Sequence, residues 1–261
     1  MDAHASPVSR NRATAAPDNV LVVIPAFNEE RNVGAVVAAV LGEGFSAVVV
    51  DDGSSDRTAA VARDAGARVL RLPVNLGVGG ALRCAFRFAV IEGYDTVVQC
   101  DADGQHDPSE IRRLLDTMAR TRANLVIGSR FVDGTLGVGA GRGLAMRVLA
   151  HIATTQSGTA ITDATSGFRA IGGSLLGSFA ASYPSEYLGD TVEALARAGR
   201  DGHRVEEIAV RMHPRASGVS SASSLASMWY VVRVLAAMRI QRHRPTGRRV
   251  VRLTHWEAGP S

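Results

Sequence analysis

Val97-Val98-Gln99-Cys100-Asp101-Ala102-Asp103-Gly104-Gln105 is an apolar run that breaks into two carboxylates one residue apart. Read as a buried parallel strand, the run ends where an open α/β sheet holds its ligand, outside the carboxyl ends of its strands. In extended backbone, side chains two positions apart point the same way, so Asp101 and Asp103 are expected to converge on one point. Two carboxylates so placed are hard oxygen ligands suited to Mg²⁺ or Mn²⁺. Such an ion keeps open positions for phosphate oxygens and offsets charge on a departing diphosphate.

Outward from that stretch, strand-like runs alternate with helical patterns, the signature of a mainly parallel sheet with crossover helices. On the N-terminal side, Val20 to Pro25 is an apolar run, and Asn28 is placed as the cap of a helix carrying Val33, Val36, Val37, Val40 and Leu41. Ala47 to Val50 reads as a strand ending at Asp51-Asp52-Gly53. A helix over about 56–66, a short strand at 69–72 and a helix over 80–92 follow. On the C-terminal side, Asp107-Pro108-Ser109-Glu110 combines an N-cap, a proline at the first helical position and an acid at the third. A helix to about Thr121 and a strand at Leu125 to Gly128 come next. Then come a glycine-rich loop at 130–143, a helix at 144–155 and a polar turn at 162–169. A helix at 190–198 and a strand or bent strand at 205–212 complete this part.

The domain is thus expected over residues 19–222, preceded by a disordered segment, 1–18. An amphipathic helix, 223–240, and a basic tail, 241–261, follow it. A chain of 261 residues, 46% apolar and 21% charged, can bury a full α/β core. All 29 basic residues are arginine, and the net charge of +4 is concentrated after Arg239. A basic tail beside an apolar helix fits a membrane surface or a small membrane-protein partner. Nucleic acid is excluded as a partner, since no recognised module or aromatic-interleaved basic face accompanies the charge. Cys84 and Cys100 read as buried reduced thiols, with neither disulfide framework nor zinc spacing. No segment reaches the roughly 20 apolar residues of a membrane span, and residues 1–18 lack a signal-peptide core. The expected location is the cytoplasm, peripheral to a membrane.

Three strand ends carry function-like residues: Pro25-Ala26-Phe27-Asn28-Glu29, Asp51-Asp52-Gly53-Ser54-Ser55-Asp56 and the Asp101/Asp103 pair. Side by side in a parallel sheet they form a crevice rich in oxygen ligands. Three acidic strand ends together would be costly without a cation or donor to meet them. His106 reads as a surface residue before the Asp107 cap, because Mg²⁺ prefers oxygen.

The strings VVIPAFNEE, VVVDDGSSDRT, NLGVGGALRCAF, DADGQHDP, GSRF and TSGFR resemble the nucleotide-sugar half of family 2 glycosyltransferases. The resemblance is strongest to the dolichyl-phosphate mannose synthase and polyprenyl-phosphate glycosyltransferase branch, and it covers about Val20 to Ser221. It implies a GT-A fold and a metal-dependent, inverting transfer from a nucleotide-diphosphate sugar to a lipid-linked (polyprenyl phosphate) or cell-envelope glycan acceptor. Carried over by motif, Pro25, Phe27 and Glu29 would contact the nucleoside, with Asp52 on the base or ribose. Asp101, Ala102 and Asp103 would face the diphosphate, and Asp101, Asp103 and Gln105 would hold the divalent cation. Arg130 and Arg215 would face phosphate or acceptor, as guanidinium forks suit phosphate oxygens.

An alcohol acceptor needs a general base, for which Asp163, Glu186, Asp190 and Glu193 are the candidates; an ionised phosphate acceptor needs none. Asp190 reads equally as a helix N-terminal residue, and Glu193 as a solvated helix residue. Two departures from the family pattern are Ser221, where the loop commonly ends in lysine, and the missing membrane-spanning extension. Ser221 and the unassigned general base keep open a second reading, a catalytically idle nucleotide-sugar-binding subunit of a membrane glycosylation complex. A nucleotidyltransferase is disfavoured because PAFNEE is acidic where that chemistry usually uses a basic glycine-rich loop. A dinucleotide-binding dehydrogenase is disfavoured because no glycine fingerprint follows Val20 to Ile24.

Overall fold

The computed structural model describes residues 19–130, 140–183 and 190–213, with the side chains of residues 140–146 and Asp190 outside that description. The expected disordered segment 1–18, amphipathic helix 223–240 and basic tail 241–261 lie outside the described residues.

Among the described residues, seven strands form one sheet: β1 (Val20–Ala26), β2 (Ser46–Asp51), β3 (Arg68–Arg71), β4 (Thr96–Gln99), β5 (Leu125–Ser129), β6 (Arg169–Gly172) and β7 (Val205–Ala209). Their order is β3-β2-β1-β4-β6-β5-β7. All pairings are parallel except those of β6, which runs antiparallel to both β4 and β5. The helices are α1 (Val33–Gly42), α2 (Thr58–Asp64), α3 (Gly77–Ile91), α4 (Ile111–Thr121), α5 (Ala140–Ser157), α6 (Ser174–Ala181) and α7 (Asp190–Arg200).

The central strands are apolar on both sides, as a strand covered by helices on both faces must be. Alternate residues then divide between two cores. Leu21, Val23, Val48, Val50 and Val97 face one core, with Phe86 of α3, Phe179 of α6 and Leu195 of α7. Val20, Val22, Ile24, Val49 and Val98 face the other, with Val37 of α1 and Leu114 of α4. Helices α5 and α7 pack so closely that a Cβ on Gly199 would lie 2.1 Å from the Gln156 carbonyl oxygen.

Strand β1 sits between β2 and β4, and the chain leaves it in opposite directions along the sheet. That reversal is a topological switch point, where strand ends part and leave room for a ligand. Pairing with β4 ends at Val23 opposite Gln99, while pairing with β2 continues to Ala26 opposite Asp51.

The structure changes four sequence expectations. Asn28 does not cap α1: it sits in the left-handed region at φ 56°, and its Oδ1 accepts from Ser55 N at 2.9 Å. Asn32 precedes the helix instead, its side chain turned back to Glu29 Oε2 at 2.7 Å. The stretch after the polar turn, 170–181, holds β6 and α6, for which the sequence reading assigned nothing. The helix expected at 144–155 runs over Ala140–Ser157. Cys100 is buried as expected, but Cys84 is only partly so. Burial, with Asp101, Asp103 and Asp107 nearby, pushes the Cys100 thiol far above its ordinary range and keeps it protonated. No helix among the described residues is long and apolar enough to cross a membrane.

Candidate active site

The acidic strand ends follow β2 and β4, on either side of β1 at the switch point. Asp52 follows β2; its N–H bonds the Ala26 carbonyl at 2.9 Å, and its Oδ1 accepts from Leu76 N at 2.7 Å. That approach requires a glycine at 53, at φ 74°, because a Cβ there would lie 2.8 Å from the Val74 carbonyl carbon. Asp51 is turned inward: Oδ1 accepts from Ser54 N at 2.9 Å and Oδ2 lies 3.4 Å from Arg71 Nε.

The loop after β1 is bound to the loop after β2 by reciprocal bonds. Asn28 N donates to Ser54 Oγ at 2.9 Å, Glu29 N to Thr58 Oγ1 at 2.8 Å and Glu30 N to Asp56 Oδ2 at 3.1 Å. Arg57 N returns a bond to Glu30 Oε2 at 3.0 Å. This lacing fixes the rim on which Pro25, Phe27 and Glu29 stand. Phe27 is 47% exposed there, with Val74 and Leu76 also exposed beyond β3.

Strand β4 ends at Gln99, and residues 102–104 form a turn. The alternation rule therefore does not aim Asp101 and Asp103, because extended backbone stops before either; the turn aims them. Asp103 is 5% exposed, its Oδ1 accepting from Gln105 N at 3.0 Å, and Ala102 beside it is buried. The Asp101 side chain is 38% exposed, its Oδ1 3.3 Å from Gln99 Nε2. Gly167, of the TSGFR string, backs onto that carboxylate: a Cβ at 167 would lie 2.8 Å from Asp101 Oδ2.

His106 is the residue that sequence reasoning misplaced. It is buried, not on the surface, at 5% exposure. Its ring stacks on Phe168 at 4.9 Å and 21°, and its Nδ1 accepts from Asp101 N at 2.9 Å. No local signal announces this, because Phe168 is far along the chain.

Two carboxylates on one turn form a small donor set, and no group of three or more His, Cys, Asp or Glu suited to a metal occurs among the described residues. That set fits Mg²⁺ or Mn²⁺, whose remaining positions go to phosphate oxygens and water. Gly167 has no side chain to displace the Asp101 carboxylate from that donor set. Asp101, Asp103 and Gln105 would hold the ion.

Next to the end of β5, Asp163 is wholly buried and pairs with Arg130: Nε to Oδ2 is 3.0 Å, and Nη2 to Oδ1 is 3.5 Å. Thr165 Oγ1 donates to the same carboxylate at 3.0 Å. Glu207 of β7, which sequence reasoning passed over, holds the loop in turn. Its carboxylate accepts from Thr162 N, Thr162 Oγ1 and Asp163 N at 2.8–2.9 Å. Buried Arg169 donates to the carbonyls of Ser166, Ala164 and Thr191 at 2.7, 3.1 and 3.1 Å, tying the TSGFR turn to α7. Asp190 is the first residue of α7. Glu193, on the same helix, is partly buried. Arg215 and Glu186 lie outside the described residues. Thus Asp52, Asp101, Asp103 and the Arg130–Asp163 pair stand at strand ends of a single sheet.

Comparison with known proteins agrees with this geometry. Residues 21–176 match the model of the family described as glycosyl transferase family 2. The polyprenol monophosphomannose synthase of Mycolicibacterium smegmatis is 34% identical over 227 residues, which cover 81% of this chain and 84% of that one. The undecaprenyl-phosphate mannosyltransferase of Micrococcus luteus is 34% identical over 218 residues, 78% and 87% of the two chains. Among solved structures, glucosyl-3-phosphoglycerate synthase from Mycobacterium tuberculosis, in complex with phosphoglyceric acid, superposes with a TM-score of 0.63 at 25% identity. The match covers 87% of this chain and 81% of that one. Fold and site together define a glycosyltransferase with the GT-A architecture. The chain belongs to glycosyl transferase family 2.

Proposed function

We propose that this glycosyltransferase moves one sugar from a nucleotide-diphosphate sugar to a polyprenyl phosphate, with inversion and with a divalent cation bound by Asp101, Asp103 and Gln105. The carrying observation is the Asp101–Gly104 turn after β4, across β1 from the strand end that carries Asp52, with Phe27 exposed after β1. Phe27 offers a flat apolar face to a base, and Asp52 and Glu29 offer acceptors to its N–H groups or to ribose hydroxyls. When bound, the cation supplies charge stabilisation to the departing diphosphate.

The acceptor side supports a phosphate. Asp163 is sealed against Arg130, so a proton placed on it would cost a buried ion pair; it serves better to aim the guanidinium than to act as a base. Arg130 can then meet an acceptor phosphate with its fork. An ionised phosphate oxygen attacks the anomeric carbon as the bond to the donor's β-phosphate oxygen breaks, and no general base is required. By the family motif, Arg215 would add a second cation for the acceptor phosphate, and Asp190 would be the candidate base for an alcohol acceptor. The names of the Mycolicibacterium and Micrococcus relatives support a polyprenyl phosphate over a soluble or glycan acceptor. Residues 223–261 would rest the enzyme on the cytoplasmic face of the membrane, where such a lipid is reached.

The test is transfer of radiolabelled sugar from a panel of GDP- and UDP-sugars to undecaprenyl phosphate, with and without Mn²⁺. Label entering the organic phase only when Mn²⁺ is present is the expected result. Donor binding without turnover across the panel would instead favour the idle-subunit reading.

A further inference from the structure

We infer that His106 is a positioning residue for the turn that carries Asp101 and Asp103, acting through the Asp101 backbone; this rests on the cation-site reading above. His106 is 5% exposed, with its ring engaged at Nδ1 and on the face that meets Phe168. Nδ1 accepts from Asp101 N at 2.9 Å. One ring face stacks on Phe168 at 4.9 Å, and its backbone bridges to Met212. Phe168 adjoins Gly167, the residue whose missing side chain leaves room for the Asp101 carboxylate. Strand β4 stops at Gln99, and the Cys100 N–H to the Val23 carbonyl is the last bond of its pairing with β1. The imidazole takes over at the next residue.

The same geometry excludes His106 from the ion's own ligands. With Nδ1 accepting a backbone N–H, the neutral ring carries its proton on Nε2, which sits 3.7 Å from Asp101 Oδ2. Neither nitrogen then offers a lone pair to a cation. What His106 contributes is the direction of the Asp101 carboxylate, as an outer-shell partner orients a ligand.

Two substitutions separate the acceptor from the ring. His106→Asn keeps an acceptor at the δ position and loses the stack, whereas His106→Phe keeps the stack and loses the acceptor. The measurement is Mn²⁺ affinity of the full chain, from the electron paramagnetic resonance signal of free Mn²⁺, with GDP and separately with UDP present. Melting temperatures are recorded alongside. Outer-shell losses run to about 10–100-fold in metal affinity, so His106→Phe is expected to weaken Mn²⁺ by at least about tenfold and His106→Asn by no more than about threefold. Equal losses in the two variants, or none in His106→Phe, would overturn the positioning role and leave His106 a packing residue. Wild-type protein that binds no Mn²⁺ would instead overturn the cation site, and this inference with it. If His106→Phe does not fold, Phe168→Leu carries the test: it keeps Nδ1, so wild-type affinity is expected and a tenfold loss would overturn the inference.

Discussion

Gly167 lies against Asp101 so closely that a methyl group there would fall 2.8 Å from one carboxylate oxygen and 3.0 Å from the other. The TSGFR turn is thus the back wall of the acidic site, and its glycine sets where the carboxylate can stand. Gly167→Ala is expected to push Asp101 aside without unfolding the sheet. Displacing a reacting or binding group by about 1 Å can cost on the order of a hundredfold in rate. We expect kcat/KM to fall by about tenfold or more, with a melting temperature lowered only a few degrees. Steady-state kinetics and thermal unfolding of the one variant check both halves, and wild-type kinetics would mean that the aim of Asp101 is immaterial.

Arg130 and Asp163 form an ion pair whose acidic half is wholly buried. Removing one partner of such a pair strands the other charge, at a cost of about 3–5 kcal/mol. Arg130→Ala should therefore destabilise by several kcal/mol in denaturant titration, beyond any loss of transfer. The double variant Arg130→Met, Asp163→Asn should recover much of that stability while remaining inactive. Recovery of activity along with stability would remove Arg130 from the acceptor side.

Asp107 caps the tight turn Pro108–Glu110 through Ser109 N at 3.0 Å. Burial raises its carboxyl, but bonds from Ser109 and the nearby His213 and Arg211 outweigh it and hold the group below its ordinary range. A folded value below the unfolded one, about 3.9, means the contribution is full above that pH. It is lost as pH falls through the lower folded value. Asp107→Ala should lower the melting temperature at pH 7, as loss of a cap costs about 0.5–2 kcal/mol. The gap from wild type should narrow as pH is taken down through the carboxylate range. A gap unchanged from neutral to strongly acid conditions would contradict this account of the cap.

The residues of this site were far more legible in the sequence than their support. Asp51-Asp52 and Asp101-Ala102-Asp103 follow apolar runs, so strand ends and chemistry could be read together. The Asp107-Pro108 start was equally local and appears as expected. What escaped depends on contacts remote in the chain. His106 is buried only because Phe168 and Met212 reach it, and Glu207 matters only because β7 lies beside β5 and meets the 162–163 loop. Strand β6 is four residues long and follows a polar turn, so periodicity had too little to act on. Strand alternation predicts Asp101 and Asp103 on one face, whereas the turn over 102–104 sets their direction.

Residues 223–261 join an apolar segment to a run of arginines, a combination that binds anionic lipid surfaces. Deleting them should move the protein from the membrane fraction to the supernatant on centrifugation of cell lysate. An unchanged distribution would remove the membrane role proposed for this segment.

The most direct measurement is a crystal structure with Mn²⁺ and a nucleoside diphosphate, read by anomalous scattering at the manganese edge. A single Mn²⁺ peak touching the Asp101 and Asp103 carboxylates and the diphosphate oxygens is the predicted result. A diphosphate seated at the switch point with no ion between it and these two carboxylates would contradict the account.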